Sequence, residues 1–225
     1  MTRPSIVLAA CLLIAAWPRS ARAQDRDGRS AIEFRRFDLA VGGGWSGGVS
    51  YGAQPAAETP ASGPQPFHLF TTSSRLDAAA EIAAAFGVRL TRRIEAEAFA
   101  SFARPALQTA IRGGAEGGGD PTVGETLRRL AISAGLRVPI RLRPGAGVEP
   151  FVAAGAGYLR ELHEGGTLVE GGGTAHAGAG LRIVPAKGRA GLRVDLRLVL
   201  RRGGAALDRG THVHPAAAAY LLVRF

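Results

Sequence analysis

The chain has 225 residues, one cysteine, 46% hydrophobic residues and a formal net charge of +10 at pH 7. That length suits one domain behind an N-terminal leader, and the lone Cys11 excludes a disulfide scaffold. The positive charge is almost wholly arginine, with Lys187 the only lysine, and it is spread along the chain without aromatic interleaving, which leaves no footprint for nucleic acid.

Residues 1–23 read as a signal peptide. Arg3 gives a positive start, Ser5 to Trp17 is almost wholly apolar, and Ala21-Arg22-Ala23 forms a small-x-small cleavage site before Gln24. The apolar run is shorter than the roughly 20 residues that a spanning helix needs. Leu8-Ala9-Ala10-Cys11 also resembles a lipoprotein processing box, in which Cys11 would be lipidated. The apolar run that continues through Leu12 to Ala16 favours removal instead. Residues 24–35 then form a short N-terminal segment, and 36–225 the folded domain.

From there the dominant period is two, the mark of half-buried strands. Eight alternating segments follow in order. Arg36–Gly47 places Phe37, Leu39, Val41 and Trp45 on one face. Ser74–Leu90 carries Leu76, Ile82, Phe86, Val88 and Leu90 in phase. Arg93–Ala103 carries Ile94, Ala96, Ala98, Ala100 and Phe102, and Arg128–Val138 carries Leu130, Ile132, Ala134, Leu136 and Val138. Glu149–Glu161 is read with Phe151, Ala153, Gly155, Gly157 and Leu159 on the apolar face. Gly173–Val184 carries Ala175, Ala177, Ala179, Leu181 and Ile183, and Ala190–Arg202 carries Leu192, Val194, Leu196, Leu198 and Leu200. The last segment is the tail PAAAAYLLVRF, which ends on Phe225.

The opposite face carries Asp38, Arg75, Asp77, Glu81, Arg89, Glu95, Glu97, Arg137, Arg182, Arg193, Asp195, Arg197 and Arg224, with small residues such as Ala40, Gly42, Gly44, Ala79, Ala154, Ala156, Gly178 and Gly180 between them. A sheet face turned to water has little reason for so much glycine. A narrow barrel interior, just wide enough for side chains to fill, does. Charges of both signs in such a lumen pair with one another, because a buried unpaired charge is costly. The expectation is a structural lumen network.

Connections alternate in length. Residues 48–73 and 104–127 are long, LHEGGTLVEGG and GGAALDRGTHVH intermediate, while Thr91-Arg92, PIRLRPGAGV and PAKGR are shorter than their neighbours. Transmembrane β-barrels have an even number of antiparallel strands, short periplasmic turns and longer extracellular loops. The pattern therefore implies an all-β, eight-stranded antiparallel up-and-down transmembrane barrel, with both termini at the short-turn end.

These features together resemble the small eight-stranded outer-membrane barrels: the OmpA membrane domain, OmpX and the opacity-type surface proteins. The resemblance rests on the terminal YLLVRF, the eight segments and the loop asymmetry, and it covers about residues 34–225. It departs at Val223, where such tails often hold an aromatic residue, and the aromatic girdle is thin, with Trp45, Phe86, Phe102, Phe151 and Phe225 as its candidates. It implies a Gram-negative cell outer membrane, contact with outer-membrane lipid and lipopolysaccharide, and Phe225 as the signal read by the barrel-assembly machinery.

Candidate residues for chemistry are few. His68, His163, His176, His212 and His214 are read as scattered loop and rim residues. The strand pair His212 and His214 shares one face, so a metal at a shared rim is the sharper alternative. No serine flanks that pair, and Thr211 is the nearest hydroxyl. The runs Gly42-Gly43-Gly44 and Gly171-Gly172-Gly173 lack the helix and lysine of a phosphate loop. Rim arginines Arg104, Arg112, Arg201, Arg202 and Arg209 suit lipopolysaccharide phosphates. The expected function is non-enzymatic and needs no cofactor or metal: membrane integrity, or extracellular display of loops 48–73 and 104–127 to ligands. The alternatives are a narrow porin-like channel for small solutes and, less favoured, a barrel enzyme acting on lipid A.

Overall fold

The computed structural model describes residues 36–58, 67–113, 121–140, 147–166, 168–185, 188–205 and 210–225. The expected signal peptide, 1–23, and the segment 24–35 lie outside the described residues.

The described chain is all-β. Its strands are β1 (Phe37–Ser46), β2 (Val49–Glu58), β3 (Phe67–Leu76), β4 (Ala79–Arg89), β5 (Glu95–Ala103), β6 (Ala106–Arg112), β7 (Thr122–Thr126), β8 (Arg128–Pro139), β9 (Val148–Leu162), β10 (Val169–Ile183), β11 (Ala190–Gly203) and β12 (Thr211–Arg224). Strands β1, β12, β11, β10, β9, β8, β5 and β4, in that order, close an antiparallel barrel. The alternation of the sequence sets its two faces. Outward positions are apolar and open: Ile82 is 68% exposed, Leu196 64% and Leu221 70%, while the intervening Ala83, Asp195 and Leu222 are buried.

The barrel is closed by the two ends of the folded domain. Leu39 lies opposite Val223, and Val41 opposite Leu221. The Arg36 N–H donates to the Phe225 carbonyl at 2.9 Å, and the Phe225 N–H returns to the Phe37 carbonyl at 2.9 Å. Phe225 is thereby tied by its backbone while its ring stays 60% exposed on the outer face. At the same end the β4–β5 turn is fixed by Thr91, whose Oγ1 accepts the N–H groups of Arg93 and Ile94 at 3.1 and 3.0 Å.

The structure departs from the sequence expectations at three places. The segment expected at 74–90 is broken at Asp77 and Ala78 and divides between β3 and β4. The Asp77 N–H leaves the barrel ladder and donates to the Ala106 carbonyl at 2.8 Å. The connections expected to be irregular loops at 48–73 and 104–127 are largely sheet. They fold into the hairpins β2–β3 and β6–β7, which join through β3 and β6 into a second sheet of order β2-β3-β6-β7. Pro55 and the bulge at Gly52 (φ 74°) hid the strand character of β2. They are tolerated because β2 is an edge strand, where a missing N–H breaks no interior ladder. Finally, β9 has the face opposite to the one expected. Phe151 and Leu159 are buried inside at 2% exposure, whereas Val152 and Tyr158 point outward. Ala154 and Ala156 are therefore outer residues.

The second sheet stands at the long-connection end. Val49, Tyr51, Leu76, Leu107 and Leu127 form a buried apolar cluster with Ala205 from the β11–β12 connection, and β2 also meets β12. Burial of a leucine of this kind contributes about 2 kcal/mol, so the hairpins are held by a core of their own.

Candidate functional site

Inward-facing charges of β1, β5, β8, β10 and β11 converge at the short-turn half of the lumen. Arg137 lies at their centre. Its guanidinium reaches Asp38 Oδ2 at 2.5 Å, Glu95 Oε2 at 2.7 Å and Glu97 Oε2 at 2.7 Å. Arg182 bridges Asp38, at 3.1 Å, and Glu95, at 2.9 Å, and approaches Glu149 at 3.3 Å. Arg193 binds Glu97 through both outer nitrogens and Asp195 through both carboxylate oxygens, the latter at 2.8 and 2.7 Å. Arg89 closes on Glu95 at 3.0 Å, and Arg224 on Glu149 at 3.0 Å. Arg137 and Arg182 have no exposed surface at all.

Phe151, expected in an outer girdle, is the platform of this network. The guanidinium carbons of Arg137, Arg182 and Arg193 lie 5.5, 5.8 and 5.0 Å from its ring centre, within cation–π range. Two glycines make the necessary room. A Cβ at Gly180 would sit 2.5 Å from Phe151 Cζ, and one at Gly87 would sit 2.4 Å from Asp38 Oδ1 and 2.7 Å from Arg137 Nη2. These glycines thus make room for large side chains of the adjoining strands, Phe151 beside Gly180 and Asp38 beside Gly87.

Above this level Arg197 stacks on Phe99 at 3.9 Å, donates to the Tyr220 hydroxyl and pairs with Asp195 at 3.2 Å. Higher still is a group that the sequence reading missed. Arg201 and Glu161 form two parallel hydrogen bonds of 3.1 and 2.6 Å, and Glu161 also accepts the Ala205 N–H at 2.8 Å. Arg201 was expected at the rim as a lipopolysaccharide contact, but it is 1% exposed and lies beneath the Tyr51 ring at 5.5 Å. Its parity with Arg193 and Arg197 was the signal that placed it inside. Burial on the inner side of the second sheet pushes the Tyr51 phenol up to about 12. Arg129 donates to Ser46 Oγ, and Glu81 faces the same space. These residues border a cavity of about 60 Å³ together with Arg197, Arg201 and His214.

Arg75 and Asp77 do not belong to the lumen. Arg75 pairs with Asp77 at 3.2 Å on the second sheet, and Gln108 Nε2 donates to Asp77 Oδ2 at 2.6 Å. The strand break at Asp77–Ala78 carries them out of the barrel. Arg75 borders an exposed groove of about 300 Å³ with Ser50, Ser73, Ser74, Gln108, Arg112 and Thr122. Arg104, Arg112 and Arg202 are exposed; Arg209 lies outside the described residues.

The histidines do not converge. His176 and His214 face the lumen, and His212 packs edge-on against Tyr51 at 5.0 Å. The His68 side chain lies outside the described residues. His163 stands apart on the β9–β10 connection, its Nδ1 3.0 Å from Glu125 Oε2 and its Nε2 3.3 Å from Glu170 Oε2. Partial burial works against its proton, but the hydrogen bonds and charge of Glu125 and Glu170 outweigh that and hold its pKa above the ordinary imidazole value. No group of three His, Cys, Asp or Glu among the described residues is arranged to hold a metal.

No family model matches the chain, and no curated protein does. Solved structures do. Outer membrane protease OmpT from Escherichia coli aligns with 11% identity and a TM-score of 0.39, over 84% of this chain and 97% of that one. Neisserial surface protein A, NspA, aligns with 10% identity and a TM-score of 0.52, over 84% of this chain and 96% of that one. The likeness to NspA is one of fold, and with the closed strand order it makes this chain an all-β protein built on an eight-stranded antiparallel barrel.

Proposed function

We propose that the chain is a non-enzymatic outer-membrane barrel that holds the β2-β3-β6-β7 sheet at the cell surface as an interaction platform. The observation that carries this reading is the lumen. Arg137, Arg182, Arg193, Glu95 and Asp195 fill it with at most 2% exposure each, so water does not run past them. In the Gly- and Ala-rich wall that would favour a narrow channel, Phe151 takes the space at Gly180, and on the neighbouring β4 Asp38 with Arg137 takes that at Gly87.

Membrane location is supported by the outer face. Leu39, Val41, Ile132, Leu136, Leu196, Leu198 and Leu221 are all exposed, a continuous apolar surface that a water-soluble monomer rarely shows. The barrel strands run from 9 to 15 residues, and a tilted strand needs about 9–11 to cross a bilayer. Outer-membrane lipid meets this belt, lipopolysaccharide phosphates suit the exposed Arg104, Arg112 and Arg202, and the backbone-anchored Phe225 suits recognition by the assembly machinery. Extracellular ligands would meet the hydroxyl-rich groove between Ser50, Ser73 and Thr122.

Cysteine labelling tests the orientation. The only native cysteine lies in the signal segment. Thr122→Cys on the second sheet should react with a membrane-impermeant maleimide on intact cells, and Thr91→Cys in the β4–β5 turn only after the outer membrane is opened. Equal labelling of both, or labelling of Thr91→Cys alone, overturns the reading.

A further inference from the structure

The cavity in the long-connection half of the lumen is rich in positive charge. Arg129, Arg197, Arg201 and His214 line it, and Glu81 is the acid among its lining residues. Arg201 is already neutralised by Glu161. Arg197 shares Asp195 with Arg193, which holds both of that carboxylate's oxygens. Arg129 is different. It is 6% exposed, its one hydrogen bond goes to the neutral Ser46 hydroxyl, and it has no carboxylate within 4.0 Å among the described residues. His214 is 5% exposed, and its Nδ1 has no partner. Glu81 likewise has no ion pair within 4.0 Å among the described residues, so it does not neutralise Arg129 by contact.

Glu161, the register partner of Arg129 on β9, is committed to Arg201, and a buried guanidinium with no carboxylate in contact and few hydrogen bonds is costly. The cavity, at about 60 Å³, exceeds the roughly 10–15 Å³ that one water needs. Water in it would solvate Arg129 but leave the charge in place. A small anion accepts the guanidinium N–H groups and cancels the charge as well. The hydroxyl residues Ser101 and Thr174 and the apolar Ala131, Leu159, Val199 and Ala216 share the rest of the wall, and the small volume favours a compact anion over a bulky one. We propose that this cavity binds a small monovalent anion of halide size, seated between Arg129, Arg201 and His214, with Glu81 limiting its affinity by repulsion.

The test is crystallography of the refolded barrel with bromide replacing chloride, read by anomalous scattering. The expected result is a bromide peak inside the barrel beside Arg129. Arg129→Gln should abolish it, and Glu81→Gln should raise its occupancy several-fold at a fixed, sub-saturating concentration. Bromide only on the outer surface, or water alone in the cavity, overturns the proposal. Should Arg129→Gln fail to refold, Glu81→Gln decides alone: unchanged occupancy would show that charge in the cavity does not govern the site.

Discussion

At the scale of single residues, the lumen depends on Arg137. Three carboxylates, those of Asp38, Glu95 and Glu97, lie within 2.7 Å of it, and it is fully buried. Removing one partner of a buried ionic group leaves the others uncompensated and costs about 3–5 kcal/mol. Arg137→Met should therefore lower the urea midpoint of the refolded barrel in micelles by an amount corresponding to that loss; an unchanged midpoint would mean the network contributes no stability. Most of these charges were legible from parity, since Asp38, Glu95, Glu97, Arg137, Arg182, Arg193 and Asp195 all interrupt apolar alternation. Phe151 was not. In β9 both faces are apolar, with Phe151 and Leu159 on one and Val152 and Tyr158 on the other. What decides between them is the set of guanidiniums supplied by β8, β10 and β11, which no local pattern contains.

At the scale of elements, the long connections are where the sequence was least informative. Residues 48–73 and 104–127 are rich in Pro, Gly and hydroxyl residues, and such composition marks loops. Their strand character comes from pairing each other, β3 to β6, over an apolar cluster assembled from three strands, Leu127 and a distant connection. That contact is non-local and leaves no period in either segment. His163 ties this region to the barrel by joining Glu125 of β7 to Glu170 of β10. Because its folded pKa is raised, the stabilisation is complete below the unfolded value of about 6.5 and is lost as pH rises through the higher folded value. An NMR titration should find the His163 imidazole above that reference. Glu125→Gln should move it down, and a midpoint unaffected by that change would remove Glu125 from the contact.

At the scale of the whole molecule, the arrangement is an apolar outer surface around a filled, charged interior, the reverse of a water-soluble domain. The eight-strand order, the two termini at one end and the outward Phe225 followed from alternation and connection length alone. Whether the interior is open did not, because glycine and alanine facing a lumen read equally as free space and as room for a neighbour's ring. Gly87 and Gly180 are of the second kind. The barrel should thus insert into bilayers without conducting. Planar-bilayer recording of refolded residues 24–225, with insertion verified by heat-modifiable migration on gels, tests this most directly. The account predicts no steady unitary current; reproducible unitary steps from folded, inserted protein would contradict it.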